Sequence, residues 1–401
     1  MFHSYRKDLI MAKKRKRQHN RFLPFFVILL LVALILLYKF DRIPWIPSGG
    51  DGETTQKVSG APEASVGNGV SADTVSTSEL SIHFLELGNK YTGDCTYIKA
   101  GDIDILIDAG SRVNSIGAIT AYIDQFVTDG ILEYVIVTHA HQDHYAGFAT
   151  GESTDSIFDL YECKTIIDFA LTNQKSDGAM YSNYIRERDA EIANGAVHYT
   201  AAECITEEKN VFTLSDTVKL KILDSYYYYN ESSDENNYSV CTLITEESTD
   251  GDRNYLLTGD LEKEGESYLV DMNELPEVEL FKAGHHGSPT STTAKLLEVI
   301  KPKYVAVCCC CGSPEYTDNT ANQFPSQAFI DRVAPYTKNV YVTTLCVDYK
   351  NAEYVSMNGN IVFLVKDDVL SVSCSASTLP LYESDWFKTS RTCPDAWKAA
   401  S

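Results

Sequence analysis

The chain has 401 residues, enough for one large domain with additions, and 56 acidic against 34 basic residues give a formal net charge of −22. The charge is uneven. Residues 1–40 hold nine Lys/Arg and one acid, Asp8; taking nine from 34 and one from 56 leaves 25 basic and 55 acidic residues, a net of −30, for residues 41–401. So acidic a surface repels polyanions and argues against avid, non-specific nucleic-acid binding.

Residues 1–21 form a basic tail with the unbroken run Lys13-Lys14-Arg15-Lys16-Arg17, and residues 22–40 are almost wholly apolar. At about 1.5 Å per residue such a stretch spans a hydrocarbon core as a helix. The basic flank predicts a cytoplasmic N-terminus and an extracytoplasmic remainder, hence a single-pass protein of the cell membrane. The run ends in Tyr38-Lys39-Phe40 without a small-x-small cleavage site, which favours an anchor over a removed signal peptide. Residues 41–79, rich in Gly, Ser, Thr and Asp, read as a flexible stalk.

A folded domain is expected over 80–376. Ile82, Phe84 and Leu87 mark a first strand, and 96–99 and 103–107 two more around the turn Gly101-Asp102, the last ending on Asp108-Ala109-Gly110. A helix over 115–127 buries Ile116, Ile119, Tyr122, Ile123 and Phe126 on one face. The apolar strand 133–137 then delivers Thr138-His139-Ala140-His141-Gln142-Asp143-His144. Three of nine histidines and an aspartate fall within six positions, and imidazole and carboxylate are ligands for zinc, iron or manganese. In a tight loop His139 and His141 aim at one metal, Asp143 and His144 at a second beside it. Two such ions lie roughly 3.5–4 Å apart and share a bridging hydroxide.

A strand over 165–169 and a charged helix over 181–193 follow. His198 is the only histidine between His144 and His285, so it is a candidate to complete the first metal site, with Asp168 as another. Asn236-Asn237-Tyr238-Ser239-Val240 precedes a strand, and Tyr226 to Tyr229 line a loop. The strand 255–258 ends on Gly259-Asp260, followed by a helix over 262–272. Phe281-Lys282-Ala283-Gly284-His285-His286-Gly287-Ser288 is the second histidine motif. Helix 292–300, strand 303–308, helix 327–333, strand 340–344 and a hairpin over 359–373 complete the domain; residues 377–401 read as a C-terminal tail without a motif. The run Cys308 to Cys311 continues a strand, where neighbours point to opposite faces, so the four cannot share one metal. Cys308 to Cys310 read as small buried residues. With eleven cysteines, at least one thiol is free or intermolecular.

His-x-His-x-Asp-His after a hydrophobic strand resembles the first metal motif of the metallo-β-lactamase superfamily. Asp108, Gly88 with Gly93-Asp94, Asn236 to Val240, Gly259-Asp260 and Gly284 to Ser288 follow in an order that resembles its ComEC-like branch. That branch is the hydrolase domain of bacterial competence DNA-uptake channels and of free-standing relatives. Many relatives carry Gly-His-Pro-Ser where this chain has Gln323-Phe324-Pro325-Ser326. The resemblance implies an α/β fold of the metallo-β-lactamase type, an αββα sandwich with the metals at one edge. It implies two divalent ions, zinc first with manganese or iron as alternatives, held by His139, His141, Asp143, His144, Asp260 and His286. Asp108 supports the metal loop, and His285 stands beside the reacting group as proton donor, with the reverse assignment of His285 and His286 left open. The implied reaction is hydrolysis of a phosphodiester or other ester, with Asp143 and His285 in the catalytic centre. Extracellular DNA, an envelope phosphodiester, or no turnover at all in a metal-binding ectodomain are the alternatives. The negative charge disfavours the nucleic acid.

Overall fold

Short β-branched runs punctuated by Gly, Asp and Asn set the architecture. The computed structural model describes residues 79–150, 154–175 and 178–398. The basic tail, the expected membrane helix and nearly all of the expected stalk lie outside the described residues, and no described helix is long and apolar enough to cross a membrane.

The strands are β1 Leu80–Phe84, β2 Thr96–Ala100, β3 Ile103–Ile107, β4 Ile131–Ile136, β5 Glu162–Asp168, β6 Val197–Thr200, β7 Val211–Thr213 and β8 Val218–Ile222. They continue with β9 Thr242–Glu246, β10 Arg253–Leu257, β11 Leu280–Lys282, β12 Tyr304–Cys311, β13 Val340–Asp348, β14 Glu353–Ser356, β15 Ile361–Lys366 and β16 Val369–Cys374. Two eight-stranded sheets result, ordered β16-β15-β1-β2-β3-β4-β5-β6 and β14-β13-β12-β11-β10-β9-β8-β7. Each is mixed: β3 to β6 and β10 to β13 run parallel, and the remaining pairs are antiparallel. The chain closes the first sheet late, when β15 returns to pair with β1, Leu80 opposite Val365.

Strand alternation shows how the second sheet is buried on both faces. Tyr255, Leu257, Ala306 and Cys308 join the core shared with the first sheet. Leu256, Val305, Val307 and Cys309 face the other way, onto the helices Lys263–Met272, Ala294–Ile300 and Gln327–Val333. Cys308 and Cys309 thus belong to different cores, as the alternation argument requires, and all eleven thiols are free. Strand β12 runs through the whole cysteine stretch, three residues beyond its expected end.

The segment expected as a tail is part of the second core. Leu381, Phe387 and Trp397 are buried there, and the Trp397 indole donates to the Thr337 carbonyl at 2.9 Å. Its apolar residues are too widely spaced to show a period, which is why sequence reading left it out. The edge strands β7 and β14 were also unseen, being three and four residues long.

Candidate metal centre

Parallel strands release their chain at one end of each sheet, and every candidate ligand except His198 and Asp168 sits on such a loop. Strand β3 delivers Asp108, β4 the stretch from Thr138 to His144, β10 Asp260, and β11 His285 and His286. The metal loop is held by backbone bonds to its neighbours, Asp94 N–H to Asp143 O at 2.9 Å and Ala109 N–H to His144 O at 2.7 Å, and those neighbours are tied to each other by Gly110 N–H to Asp94 O at 2.9 Å.

The imidazoles are oriented from behind. Asp108 is buried; its carboxylate accepts from Thr138 N–H (2.8 Å), Thr138 Oγ1 (2.7 Å) and His144 Nδ1 (2.7 Å). A carboxylate accepts only from a protonated nitrogen, so His144 is left to present Nε2 forward. His286 follows the same logic with a different acceptor. The ladder between β12 and β13 shifts register between Val307 and Cys310, and the Cys308 carbonyl there accepts from His286 Nδ1 at 2.8 Å. His285 turns elsewhere: its Nδ1 lies 2.8 Å from Glu262 Oε1, which also accepts from Thr290 Oγ1. The divergence has a backbone cause. His285 and His286 both occupy the left-handed region, φ 45° and 55°. That conformation costs a residue with a Cβ roughly 1–2 kcal/mol and collects at functional sites.

On the forward side the groups converge. Asp260 Oδ2 lies 3.0 Å from His144 Nε2, 3.1 Å from His286 Nε2 and 4.0 Å from His285 Nε2, and Asp143 Oδ2 is 3.6 Å from His286 Nε2. Beside them His139 Nε2 and His141 Nδ1 approach to 3.1 Å. The six expected ligands therefore fall into the expected two groups, with Asp260 on the His144 and His286 side. Asp108 stands where the resemblance put it.

The electrostatics fit a cation. Asp94, His144, Asp260 and His286 offer ligand atoms all within 4.8 Å of one another and are all buried. Within the set Asp94 faces the Nδ1 side of His286, at 3.2 Å, so Asp143 is better placed toward the forward nitrogens. His144 Nε2, His286 Nε2, Asp260 Oδ1 and Asp94 Oδ1 are buried without a hydrogen bond of proper geometry. Such atoms are costly to leave bare, and a divalent ion between the two forward Nε2 atoms would satisfy that pair. In the metal-free protein protons supply the missing positive charge. Burial disfavours imidazolium, but Asp260 lies against both rings and outweighs it: His144 is pushed up to about 10, and His286 is raised well above the usual histidine value. Burial works against the Asp260 carboxylate, yet His144, His286 and His285 hold its pKa well down. His139, buried and facing His144, is held well below the usual value and stays neutral.

Sequence reading missed the braces. Lys282 is buried and ion-paired with Asp94, with its Nζ 3.6 Å from Asp260 Oδ1; a lysine inside a strand gives no warning of this. Glu235 accepts from Ala140 N–H, Thr172 Oγ1 and Asn173 N–H, clamping loop 169–175 onto the metal loop. Asn236 to Val240 is more than a turn: Ser239 Oγ accepts from Asp260 N–H at 3.0 Å and lies 3.4 Å from His139 Nδ1. Asp94 was legible as part of a broken motif; the loop carrying it folds back onto the metal loop and restores it to the site.

His198 does not join the centre. Its Nε2 lies 2.9 Å from Asp168 Oδ1, so the two residues proposed to complete the first metal site pair with each other instead. Arg188 and Tyr184 occupy the other Asp168 oxygen. The reason is topological: His198 lies within β6, the edge strand, and not on a loop beyond a strand end.

Residues 88–154 match the family profile described as Metallo-beta-lactamase superfamily, a stretch that includes Asp94, Asp108 and the metal loop. ComE operon protein 3 of Bacillus subtilis (strain 168) is 27% identical over 173 residues, 43% of this chain and 19% of that protein. The chain thus matches about a fifth of the length of that curated relative. Among solved structures, Tm1679, described as a metal-dependent hydrolase of the beta-lactamase superfamily, aligns over 69% of this chain and 99% of its own with a TM-score of 0.38 and 13% identity. The metallo-beta-lactamase fold protein YhfI from Bacillus subtilis aligns over 68% and 90%, with a TM-score of 0.34 and 12% identity.

Proposed function

We propose that the metallo-beta-lactamase superfamily domain carried by this chain is a hydrolase using two divalent cations, zinc by preference, to cleave a phosphodiester. The observation that carries this is the convergence of Nε2 of His144 and His286 with Asp260 and Asp143, beside the His139 and His141 pair, each group fixed from behind. This donor set suits zinc, manganese or iron. Cations held there by these residues would lower the pKa of water toward neutrality and offset charge on the reacting oxygens.

The protein's own groups supply the rest. Asp108, the Cys308 carbonyl and Ser239 keep the ligating atoms aimed forward. Lys282 offsets carboxylate charge beneath the site. His285 is 21% exposed, whereas His286 is fully buried, so His285 is the ring that reaches substrate. With Nδ1 held by Glu262, its Nε2 is placed to give a proton to the leaving oxygen. Asp143 and His286 hold the centre together.

A single-pass anchor over residues 22–40 would put the domain outside the cell, where envelope phosphodiesters suit an acidic protein better than bulk DNA. Accessibility of the 80–398 region to protease added to intact cells checks this placement. One observation favours a second reading, a metal-binding ectodomain without turnover: with His198 committed to Asp168, the His139 and His141 group gains no third histidine.

Metal content measured together with hydrolysis of bis(p-nitrophenyl) phosphate separates the readings. The proposal expects about two metals per chain and chelator-sensitive cleavage, lost in Asp143→Ala and His286→Ala. One metal with no cleavage of any ester would establish the second reading.

A further inference from the structure

The wall beside the metal centre is aromatic. Residues 312–326 leave β12 and run past the site before the helix Gln327–Val333. Within this loop Tyr316 is 51% exposed, yet its hydroxyl donates to Asp143 Oδ2 at 2.5 Å. Its ring lies against Phe324, with centroids 5.4 Å apart and planes 32° apart. Phe324 is buried and meets His285 at 5.6 Å and His286 at 6.0 Å between ring centroids. The rings pack in series from the two histidines through buried Phe324 to the half-exposed ring of Tyr316.

The loop holds Tyr316 in place. Glu315, next to it, accepts from Thr92 N–H at 2.8 Å and pairs with Arg112 at 2.8 Å. Gly312 N–H donates to Phe324 O at 2.8 Å, and Ser326 N–H to Gly287 O at 2.9 Å, which ties the loop to the histidine motif. An aromatic ring kept open to solvent at the mouth of a polar site, with its polar tip already inside, suits a flat apolar group arriving beside the reacting atoms.

We propose that Tyr316 and Phe324 form a stacking platform selecting phosphoesters that carry a flat aromatic substituent, an aryl group or a base, next to the scissile bond. Tyr316 is the specificity-determining residue: its ring packs on that substituent, while its hydroxyl, donating to Asp143, fixes the position of the ring. This assignment rests on the metal-dependent reading above. It differs in what it demands of the substrate, since an aliphatic headgroup would leave the platform uncovered.

The test uses two phosphonates that share a metal-binding headgroup and differ in one substituent, phenylphosphonate and methylphosphonate. Their dissociation constants are measured on the full-length, zinc-loaded protein. Stacking on an aromatic platform makes the phenyl compound bind about tenfold tighter. Tyr316→Ala brings the two affinities together by weakening the phenyl compound, whereas Tyr316→Phe, which keeps the ring, keeps the preference. Equal affinities in the unaltered protein, a preference that survives Tyr316→Ala, or failure of both phosphonates to bind would overturn the platform. Failure of the hydrolase reading shows separately, as absent cleavage of bis(p-nitrophenyl) phosphate in the same preparation, and leaves the phosphonate comparison to decide on the platform.

Discussion

Gly110 is the sharpest test of how the metal loop is held. Its backbone sits directly beneath the loop: a Cβ added there would lie 1.6 Å from Asp143 O and 2.1 Å from Asp143 C. Real Cβ atoms essentially never come within 3.0 Å of another heavy atom, so Gly110→Ala forces the two segments apart by at least 1.4 Å, the difference from 1.6 Å. The obstacle is backbone, and no rotamer change relieves it. Three hydrogen bonds hold the segments here, Asp94 N–H to Asp143 O, Ala109 N–H to His144 O and Gly147 N–H to Ala109 O, at 2.7 to 2.9 Å. At about 1 kcal/mol each their loss costs roughly 3 kcal/mol of stability. The chemical effect is larger. A site tolerates displacements of about 0.5 Å, and a misplacement of about 1 Å costs on the order of a hundredfold in rate. The expected outcome is a folded but less stable protein whose metal affinity, by chelator competition, and cleavage rate each fall by about a hundredfold. Gly117→Ala is the control. A Cβ at Gly117 meets nothing within 4 Å, and the residue lies in the helix Ile116–Ile123. It should leave metal binding intact and raise stability by about 0.5–1 kcal/mol. A Gly110→Ala protein with unaltered metal affinity and melting temperature would refute the account of the loop.

Asp108→Asn keeps an acceptor for His144 but removes its charge; metal affinity should drop by about 10- to 100-fold in chelator competition, and an unchanged affinity would show that Asp108 is merely structural. Lys282→Met leaves the Asp94 carboxylate buried without its partner, so the metal-free protein should lose roughly 3–5 kcal/mol in urea unfolding; a neutral outcome would mean the pair is not formed. His83, far from the metal loop in sequence, is packed against Tyr97, Tyr122 and Phe126, and burial pushes its pKa down to about 3. Its folded value lies below the unfolded value of about 6.5, so the stability tied to its neutral form is present above that value and is lost as pH falls. Between pH 7 and pH 5 the unaltered protein should lose roughly 2 kcal/mol more than His83→Gln, and parallel losses would remove His83 as the cause.

How far the sequence could be read follows from where each determinant lies. Ligands on loops beyond strands declared themselves, because an apolar run followed by histidines has few other readings. His139, His141, Asp143 and His144 lie close together as their spacing implies, and Asp260 and His286, expected from the family resemblance, lie beside them. Groups that act through a distant partner gave no local sign. Lys282 sits in a strand position that would suit any residue, and only the fold sets it against Asp94, 188 positions earlier. Glu235 looked like one more acid in a polar loop until the fold brought three donors to it. His198 shows the converse error. It was chosen by elimination, as the one histidine available, and elimination carries no geometry. A residue inside an edge strand presents its side chain to a face of the sheet, whereas ligands here come from the ends of strands. The strained pair His285 and His286 marks the limit from the other side. Here the two adjacent histidines reach their different partners from left-handed backbone, and the flanking Gly284 and Gly287 are the trace of that tight turn in the sequence.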